Sequence, residues 1–324
     1  MRAARLHGLR DLRVEDLPRP VPGSGELLVA IEMCGVCSTD ARKFELGVND
    51  GTYPFNPGHE WVGRVVDIGR DVTGWDVGDA VFGDTYAGYA EFAAISTEPT
   101  AWSCGATRLD AALPPERGIF LEPLADCLHA VHDQARLKSG EQVVVVGAGA
   151  MGLQLVALAA RAEGRVLVVE PLEHRRKLAC QLGAEAAVEP EQWPAAVRDW
   201  SNGSGADVVI VALGHTAAIR SAMQAAAPGA RIVAFAGFGA NPEATIDLNL
   251  LHYRELTIVG SEWIGTPPNQ RRERYAESLA LLQSGDLALE QLVDQHCQLA
   301  EAAEVLARFA GNGAIKTVIE IGGT

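Results

Sequence analysis

The sequence contains no run of about 18 apolar residues, the length a helix needs to cross the hydrocarbon core of a bilayer, so no membrane span is expected. Basic charge is scarce. Twenty-seven Lys and Arg stand against 42 Asp and Glu, giving a net charge of −15. Nucleic acid and anionic membrane both demand a basic footprint, so neither is expected as a partner. Cysteine is sparse as well. Six residues, at 34, 37, 104, 127, 180 and 297, are scattered over 324 positions, which excludes a disulfide framework of the secreted kind. Residues 1–13 lack an apolar signal core and carry four arginines, so a cytoplasmic location is expected. No short internal repeat or low-complexity tract stands out.

What is present points to an ordinary globular protein. The length suggests about two domains. Hydrophobic residues at 48% and charged residues at 21% suffice for a real core. The first 136 residues read as β-rich. Runs at 26–32, 61–68 and 89–95 carry β-branched and aromatic residues, punctuated by Gly and Pro clusters at 18–25, 47–57 and 69–83. The texture changes at Lys138-Ser139-Gly140. Residues 142–146 form a continuous apolar run, as a strand buried on both faces requires. Strands are then expected at 165–170, 206–212, 231–236 and 256–259, alternating with helices to about 162, at 174–182 and at 217–226. That alternation implies a parallel sheet with crossovers. After about 261 the pattern is helical at 271–284 and 299–310, and it closes on an apolar strand at 316–321. A nucleotide-binding domain is thus expected as an insert between two outer pieces that form one discontinuous domain.

The first strand of the insert runs into Gly147-Ala148-Gly149-Ala150-Met151-Gly152. Gly147 permits the tight turn, Gly149 lets the backbone approach a pyrophosphate, and Gly152 lets helix and strand pack closely. The helix N-terminus offers free N–H groups to the phosphates. The next strand ends at Glu170, placed to accept hydrogen bonds from an adenosine ribose. A carboxylate there repels a 2′-phosphate, so NAD is expected over NADP. Arg175 and Arg176 lie close by and weigh the other way unless they are solvated helix-face charges.

A second constellation lies earlier in the chain. Cys34-Gly35-Val36-Cys37-Ser38-Thr39-Asp40 precedes Gly58-His59-Glu60 and Leu121-Glu122-Pro123-Leu124. Thiolate, imidazole and carboxylate are the usual zinc ligands. A catalytic zinc polarises an alcohol oxygen and lowers its pKa, and a nearby hydroxyl such as Thr39 takes the departing proton. Each residue alone has a bland reading: Cys37 as a small buried hydrophobe, His59 as a hydrogen-bonded structural histidine.

Together these residues carry a specific resemblance. Gly58-His59-Glu60-Trp61-Val62-Gly63, followed by Gly69 and Val72, resembles the zinc-site signature of the medium-chain dehydrogenase/reductase superfamily. Cys37-Ser38-Thr39-Asp40 matches its first ligand segment. Leu121-Glu122-Pro123-Leu124 is similar to the motif of its polyol (sorbitol-type) and threonine dehydrogenase branches. Gly78-Asp79-Ala80-Val81, Gly88-Tyr89-Ala90-Glu91-Phe92 and the segment from Glu255 to Ser261 also fit, so the resemblance runs nearly end to end. It implies an α/β fold in which a Rossmann domain, 137–262, is inserted in a β-rich GroES-like catalytic domain made of 1–136 and 263–324. It implies a catalytic zinc held by Cys37 and His59, with Glu60 or Glu122 completing the set. Thr39 would be the proton-relay hydroxyl, and Asp40 would orient His59 from behind. It also implies a homodimer or homotetramer.

Three departures qualify the resemblance. The family's four-cysteine structural-zinc lobe has no room here, because only residues 82–87 separate the Gly-Asp-x-Val turn from the Gly-Tyr-Ala-Glu-Phe strand. One zinc per chain is therefore expected, and the isolated Cys104 cannot replace the lobe. Arg42 stands where many relatives carry a relay histidine, and arginine does not surrender its proton near neutrality. Arg42 contacts an anionic cofactor or substrate group, or it is a surface arginine. Asp126 follows Glu122 by four residues and shares its helix face. It touches zinc-bound water or a polar substrate, or it is a capping or solvated aspartate. His129 and His132 have no matching ligand nearby and read as core or surface residues. The functional expectation is a zinc-dependent, NAD-linked dehydrogenase of a hydroxylated small molecule such as a polyol, cyclitol or hydroxy amino acid. The competing readings are a zinc-free alkene or quinone reductase of the same superfamily and a non-enzymatic NAD-binding protein.

Overall fold

Ten residues, Glu26–Gly35, form the strand on which the first of two units is built, in a computed structural model that describes residues 1–48, 51–191, 193–238, 242–263, 266–309 and 313–322. Leu27, Leu28, Val29, Ile31, Met33 and Cys34 of this strand are all buried. One edge pairs antiparallel with Glu60–Ile68, with Val29 opposite Val65 and Gly35 opposite Glu60. The other edge is shared by Phe92–Ser96, with Leu27 opposite Ile95, and by Lys316–Glu320, with Ile319 opposite Cys34. The last described strand of the chain therefore hydrogen-bonds to one of the first. This unit comprises Met1–Pro123 and Pro267–Thr324. Its core gathers Leu27, Ile31, Trp61, Val81 and Tyr89 from the early segment with Leu299, Leu306 and Ile319 from the late one.

The second unit, Leu124–Thr266, carries a wholly parallel sheet. Its strands lie in the order Ala186–Val188, Arg165–Val169, Gln142–Val146, Ala206–Val211, Ala226–Ala234 and Thr257–Gly260. In order of sequence that is 3-2-1-4-5-6, the doubly wound arrangement that binds ligands where the order reverses, between the first strand and the fourth. Val143 to Val146 are at most 3% exposed, as helices on both faces require. Among the described residues no helix is long and apolar enough to cross a membrane.

Several expected segments shift. The run at 89–95 is strand only from Phe92. Tyr89 instead donates its backbone N–H to the Pro57 carbonyl, 3.2 Å away. Among the described residues, six strands fall outside the expected runs: Arg2–Gly8, Asp11–Asp16, Ala80–Gly83 and Thr107–Arg108 in the early segment of the first unit, and Ala186–Val188 and Val293–Gln298, which both lie at the ends of their sheets. The helix expected at 271–284 starts at Pro268, with proline in its first turn. The one expected at 299–310 is a 3₁₀ turn, Leu299–Glu301, followed by Ala302–Arg308, while Ala310 lies outside the described residues. The division between units at 123/124 precedes the expected 136/137. No Gly or Pro punctuates the helical stretch Leu124–Gln134, so composition changes only after it. Trp263 is buried and packs edge-on against His129, whose ring nitrogens are occupied by Asp133 and Gln134, each at 2.9 Å.

Gly152 and Gly149 differ in why they are glycine. A Cβ on Gly152 would lie 1.9 Å from the Gly147 carbonyl oxygen, whereas a Cβ on Gly149 would meet nothing within 4 Å. Gly152→Ala is therefore expected to destabilise the protein by about 1–3 kcal/mol, the usual cost of overpacking. Gly149→Ala leaves stability within about 0.5 kcal/mol. Urea unfolding of both variants checks this, and equal losses would remove the steric distinction.

Candidate active site

The site in the first unit starts from a helix cap. Cys37 has extended backbone and caps the helix Ser38–Leu46. Its sulfur accepts the Thr39 N–H at 3.5 Å, while the Asp40 carboxylate reaches back to the Cys37 N–H at 3.2 Å. This is a capping box with a thiol in the usual hydroxyl position, and it fixes the sulfur relative to the helix axis. Asp40 is 1% exposed. It also accepts the Gly58 N–H at 3.0 Å and the Tyr89 hydroxyl at 3.5 Å. Burial works to raise its pKa, but the charge of the neighbouring His59 ring and the two backbone N–H groups hold it below the ordinary aspartate value.

Gly58 turns the chain at φ +86°, where a Cβ would meet the Tyr89 ring at 2.5 Å. The turn delivers His59 beside Asp40, with Nδ1 3.7 Å from the carboxylate. One ligand atom from each of Cys37, His59 and Glu60 lies within 4.8 Å of the others. Burial lowers the pKa of His59, but the negative charges of Cys37 and Asp40 outweigh it and raise it well above the ordinary histidine value. Thiol, imidazole and carboxylate converging on one point, with a carboxylate behind the imidazole, fit a zinc ion.

Glu60 has a partner that the sequence did not suggest. Lys316, on the last strand, forms an ion pair with it and also donates to the Val36 carbonyl at 3.3 Å. Both side chains are buried. Burial disfavours the ammonium, yet Glu60 and the nearby cysteines hold its pKa above the ordinary lysine value. A lysine opening an otherwise apolar strand was the available signal. Glu122 stands in the first turn of Leu121–Leu128 and lies outside the 4.8 Å group. Burial pushes its carboxyl up to about 7, opposed by His59 and reinforced by Glu60 and Asp84. Asp126 lies one turn further along the same helix, and Arg42 is exposed.

Two more side chains complete the surroundings. The Tyr86 ring lies 5.0 Å from that of His59, and burial pushes its hydroxyl up to about 12. Asp84 accepts from the Ser103 hydroxyl, from the Cys104 N–H at 2.7 Å and from the Tyr275 hydroxyl at 2.8 Å. It thereby anchors the short segment after the strand Ala80–Gly83 to two distant parts of the unit. Only the folded chain brings these partners together.

The second unit contains the other predicted site. Gly147 has φ +99°, and Gly149 caps the twelve-residue helix Ala150–Arg161 without any side-chain hydrogen bond. The first-turn N–H groups, including those of Ala150 and Met151, have no side-chain cap, and the missing Cβ of Gly149 leaves open space before them. An uncapped helix start behind an open glycine fits a pyrophosphate. Glu170 is 3% exposed and faces its own loops, accepting the Ala148 N–H at 2.8 Å and the Leu172 N–H at 2.9 Å. Arg176 donates to the Glu170 and Pro171 carbonyls and pairs with Glu189 at 2.9 Å, while Arg175 is half-buried.

Comparison with known proteins bears on the family. A family model described as "Zinc-binding dehydrogenase" matches residues 137–284, and one described as "Alcohol dehydrogenase GroES-like domain" matches residues 23–122. The chain is 30% identical to a 2-dehydro-3-deoxy-L-galactonate 5-dehydrogenase of Pseudoalteromonas atlantica, over 96% of each chain. It is 31% identical to an L-threonine 3-dehydrogenase of Pyrococcus horikoshii, over 85% of this chain and 84% of that one. Among solved structures it superposes on a Sinorhizobium meliloti protein bound to NADP with a TM-score of 0.87, at 26% identity over 98% of each chain. With the parallel 3-2-1-4-5-6 sheet, the discontinuous β-rich unit and the Cys37–His59–Glu60 cluster already in place, these likenesses put the chain in the zinc-type medium-chain alcohol dehydrogenase family.

Proposed function

We propose that the protein is a zinc-dependent dehydrogenase that transfers a hydride between a secondary alcohol of a hydroxylated small molecule and NAD. The observation that carries the reading is the convergence of Cys37, His59 and Glu60 donor atoms within 4.8 Å. Relatives named for a sugar acid, for threonine and, in Halalkalibacterium halodurans, for sorbitol support a polar hydroxylated substrate.

When bound, zinc supplies the Lewis acidity that lowers the pKa of an alcohol, and the nicotinamide supplies the hydride acceptor. Cys37 and His59 would hold the ion, with Glu60 third by distance and Glu122 within electrostatic reach. Asp40 fixes the imidazole and balances its charge. Lys316 shares Glu60 with the site and so restrains how much negative charge that carboxylate presents. The Thr39 hydroxyl stands in the first turn of the Cys37-capped helix and takes the proton that the substrate hydroxyl loses. The carbon loses a hydride, so alcohol becomes ketone as the dinucleotide is reduced. Arg42 cannot carry the proton onward, so it leaves through ribose or water.

Glu170, the acid at the end of the second strand of the parallel sheet, is the ground for choosing NAD, because a carboxylate there repels a 2′-phosphate. Arg176 is committed to two carbonyls and Glu189. Assembly as a homodimer or homotetramer belongs to the same reading.

Elemental analysis of the purified protein is expected to give one zinc per chain, lost together with activity on chelation. Active protein without zinc would favour the alkene or quinone reductase reading. Cys37→Ser or His59→Ala is expected to abolish turnover and metal binding while NAD affinity, read by fluorescence titration, survives. Glu170→Ala is expected to weaken NAD binding, and unchanged affinity would release Glu170 from the cofactor site.

The raised pKa of Glu122 sets a pH window. A carboxyl whose folded pKa is raised binds more protons folded than unfolded, so its contribution to stability falls as pH rises from about 4.5 to about 7. In metal-stripped protein, Glu122→Gln should therefore be more stable than the parent at pH 8 and no different at pH 4. Urea unfolding at both values decides, and a pH-independent difference would mean that Glu122 is not charged at the expense of the fold.

A further inference from the structure

The short segment after the strand Ala80–Gly83 is tied to the turn that carries His59. The Thr85 carbonyl accepts from Trp61 Nε1 at 2.9 Å, and the Gly58 carbonyl accepts the N–H groups of Ala87 at 3.0 Å and Gly88 at 2.8 Å. Asp84 is anchored from elsewhere by the Cys104 N–H and the Tyr275 hydroxyl. Between these ties stands Tyr86, 37% exposed. Its ring lies 5.0 Å from that of His59 and 5.1 Å from that of Phe55, and the Lys43 ammonium stands 5.0 Å from its centre. All three neighbours meet the ring. Among the described residues none hydrogen-bonds its hydroxyl. The hydroxyl of the preceding Thr85 is buried and likewise has no partner. A buried polar group left in that state is costly unless a ligand or a water meets it. A loop whose backbone is firmly held thus leaves two consecutive hydroxyls open, one of them on the ring packed against His59. Tyr86 also lines a cavity of about 420 Å³ with Phe55 and Asn56, which is room for a small ligand.

We infer that Tyr86 is a substrate-specificity residue whose hydroxyl binds the oxygen on the carbon next to the one oxidised. The inference rests on the dehydrogenase reading and names a contact that selects within its substrate class. The reacting oxygen belongs beside His59, among the ligand side chains. A ring 5.0 Å from that imidazole is too close to serve the far end of a long substrate, so the oxygen it meets is the neighbouring one. A phenol hydroxyl both donates and accepts, so it pairs with a substrate hydroxyl in either sense. That neighbouring hydroxyl is unchanged as alcohol becomes ketone. The contact is therefore equally strong before and during hydride transfer, which lowers KM and leaves kcat alone. An analogue without the neighbouring oxygen leaves the tyrosine hydroxyl unmatched and binds more weakly.

The test uses zinc-loaded protein and substrates in pairs. Vicinal diols from butane-2,3-diol to six-carbon alditols are each matched with the analogue that lacks the hydroxyl next to the reacting carbon. NAD-linked turnover gives KM and kcat, calorimetry on the NADH complex gives binding, and elemental analysis gives zinc content, for the parent and Tyr86→Phe. The parent is expected to favour at least one diol over its analogue by about threefold to tenfold in kcat/KM, as one hydrogen bond provides. Tyr86→Phe keeps the ring and loses the oxygen. It should raise KM for that diol by the same factor, with kcat and zinc content unchanged and the analogue unaffected. Equal kcat/KM within every pair, or a preference that survives Tyr86→Phe, would overturn the inference. So would a fall in kcat in place of the rise in KM, parallel losses on diol and analogue, or loss of zinc, since each marks an effect through His59. Diol binding weakened by Tyr86→Phe without oxidation of any panel member would sink the dehydrogenase reading and leave the contact standing. A parent that neither binds nor oxidises any diol overturns both.

Discussion

Asp40 is the constraint on which the candidate metal centre depends. Its carboxylate is almost wholly buried, and such a group is tolerated only when its lone pairs are used. Here the Cys37 N–H, the Gly58 N–H and the Tyr89 hydroxyl use them, with the His59 ring 3.7 Å away. Each partner belongs to a different feature: the helix cap, the turn at φ +86°, a buried aromatic and a ligand side chain. One carboxylate therefore sets the distance between the helix that presents sulfur and the strand that presents nitrogen. Removing it would leave a buried N–H orphaned at both segments, at a cost of about 1–3 kcal/mol each.

The Glu60–Lys316 pair extends the same logic to the two ends of the chain. Residues 60 and 316 meet because Lys316–Glu320 pairs with the strand Glu26–Gly35, whose other edge carries Glu60. Buried ion pairs contribute little net stability, since desolvation offsets most of the attraction. Losing one partner is costly, because the other is left charged and unmatched. The pair therefore acts more on specificity than on stability. It makes the cluster complete only when the late segment has docked onto the early one, and so couples the site to closure of the discontinuous unit.

The dinucleotide half of the molecule was legible because its chemistry is local. Gly147 to Gly152 lie within one turn of chain, and residues 142–146 announce a doubly covered strand by composition alone. The approach of Cys37, His59 and Glu60 to one another was legible through a resemblance carried by short motifs in a familiar order. Lys316, Asp84 and Tyr86 were not, because their meaning lies in partners far along the chain: Glu60 for the lysine, Tyr275 for the aspartate and His59 for the tyrosine ring. No period or spacing encodes such contacts. Glu170 was placed at the right strand end, but that it holds its own glycine loop depends on side-chain direction, which the strand pattern leaves open.

Charge balance argues for what the cluster is built to hold. If Cys37 binds a metal as thiolate and Asp40, Glu60 and Glu122 are ionised, four negative charges face the one positive charge of Lys316. Cys34 adds none, since burial pushes its thiol well above the ordinary range. A low-dielectric site cannot leave an excess of three charges uncompensated. Protons supply part of the balance, and they bind where the shifts point, on the imidazole of His59 and the carboxyl of Glu122. A divalent cation brings the same two positive charges and would displace those protons. Metal and protons thus compete for one set of groups, the linkage expected where ligands must be deprotonated to bind. The raised values at His59, set by the charges of Cys37 and Asp40, and at Glu122, set by burial, mark the two groups where protons and metal would exchange.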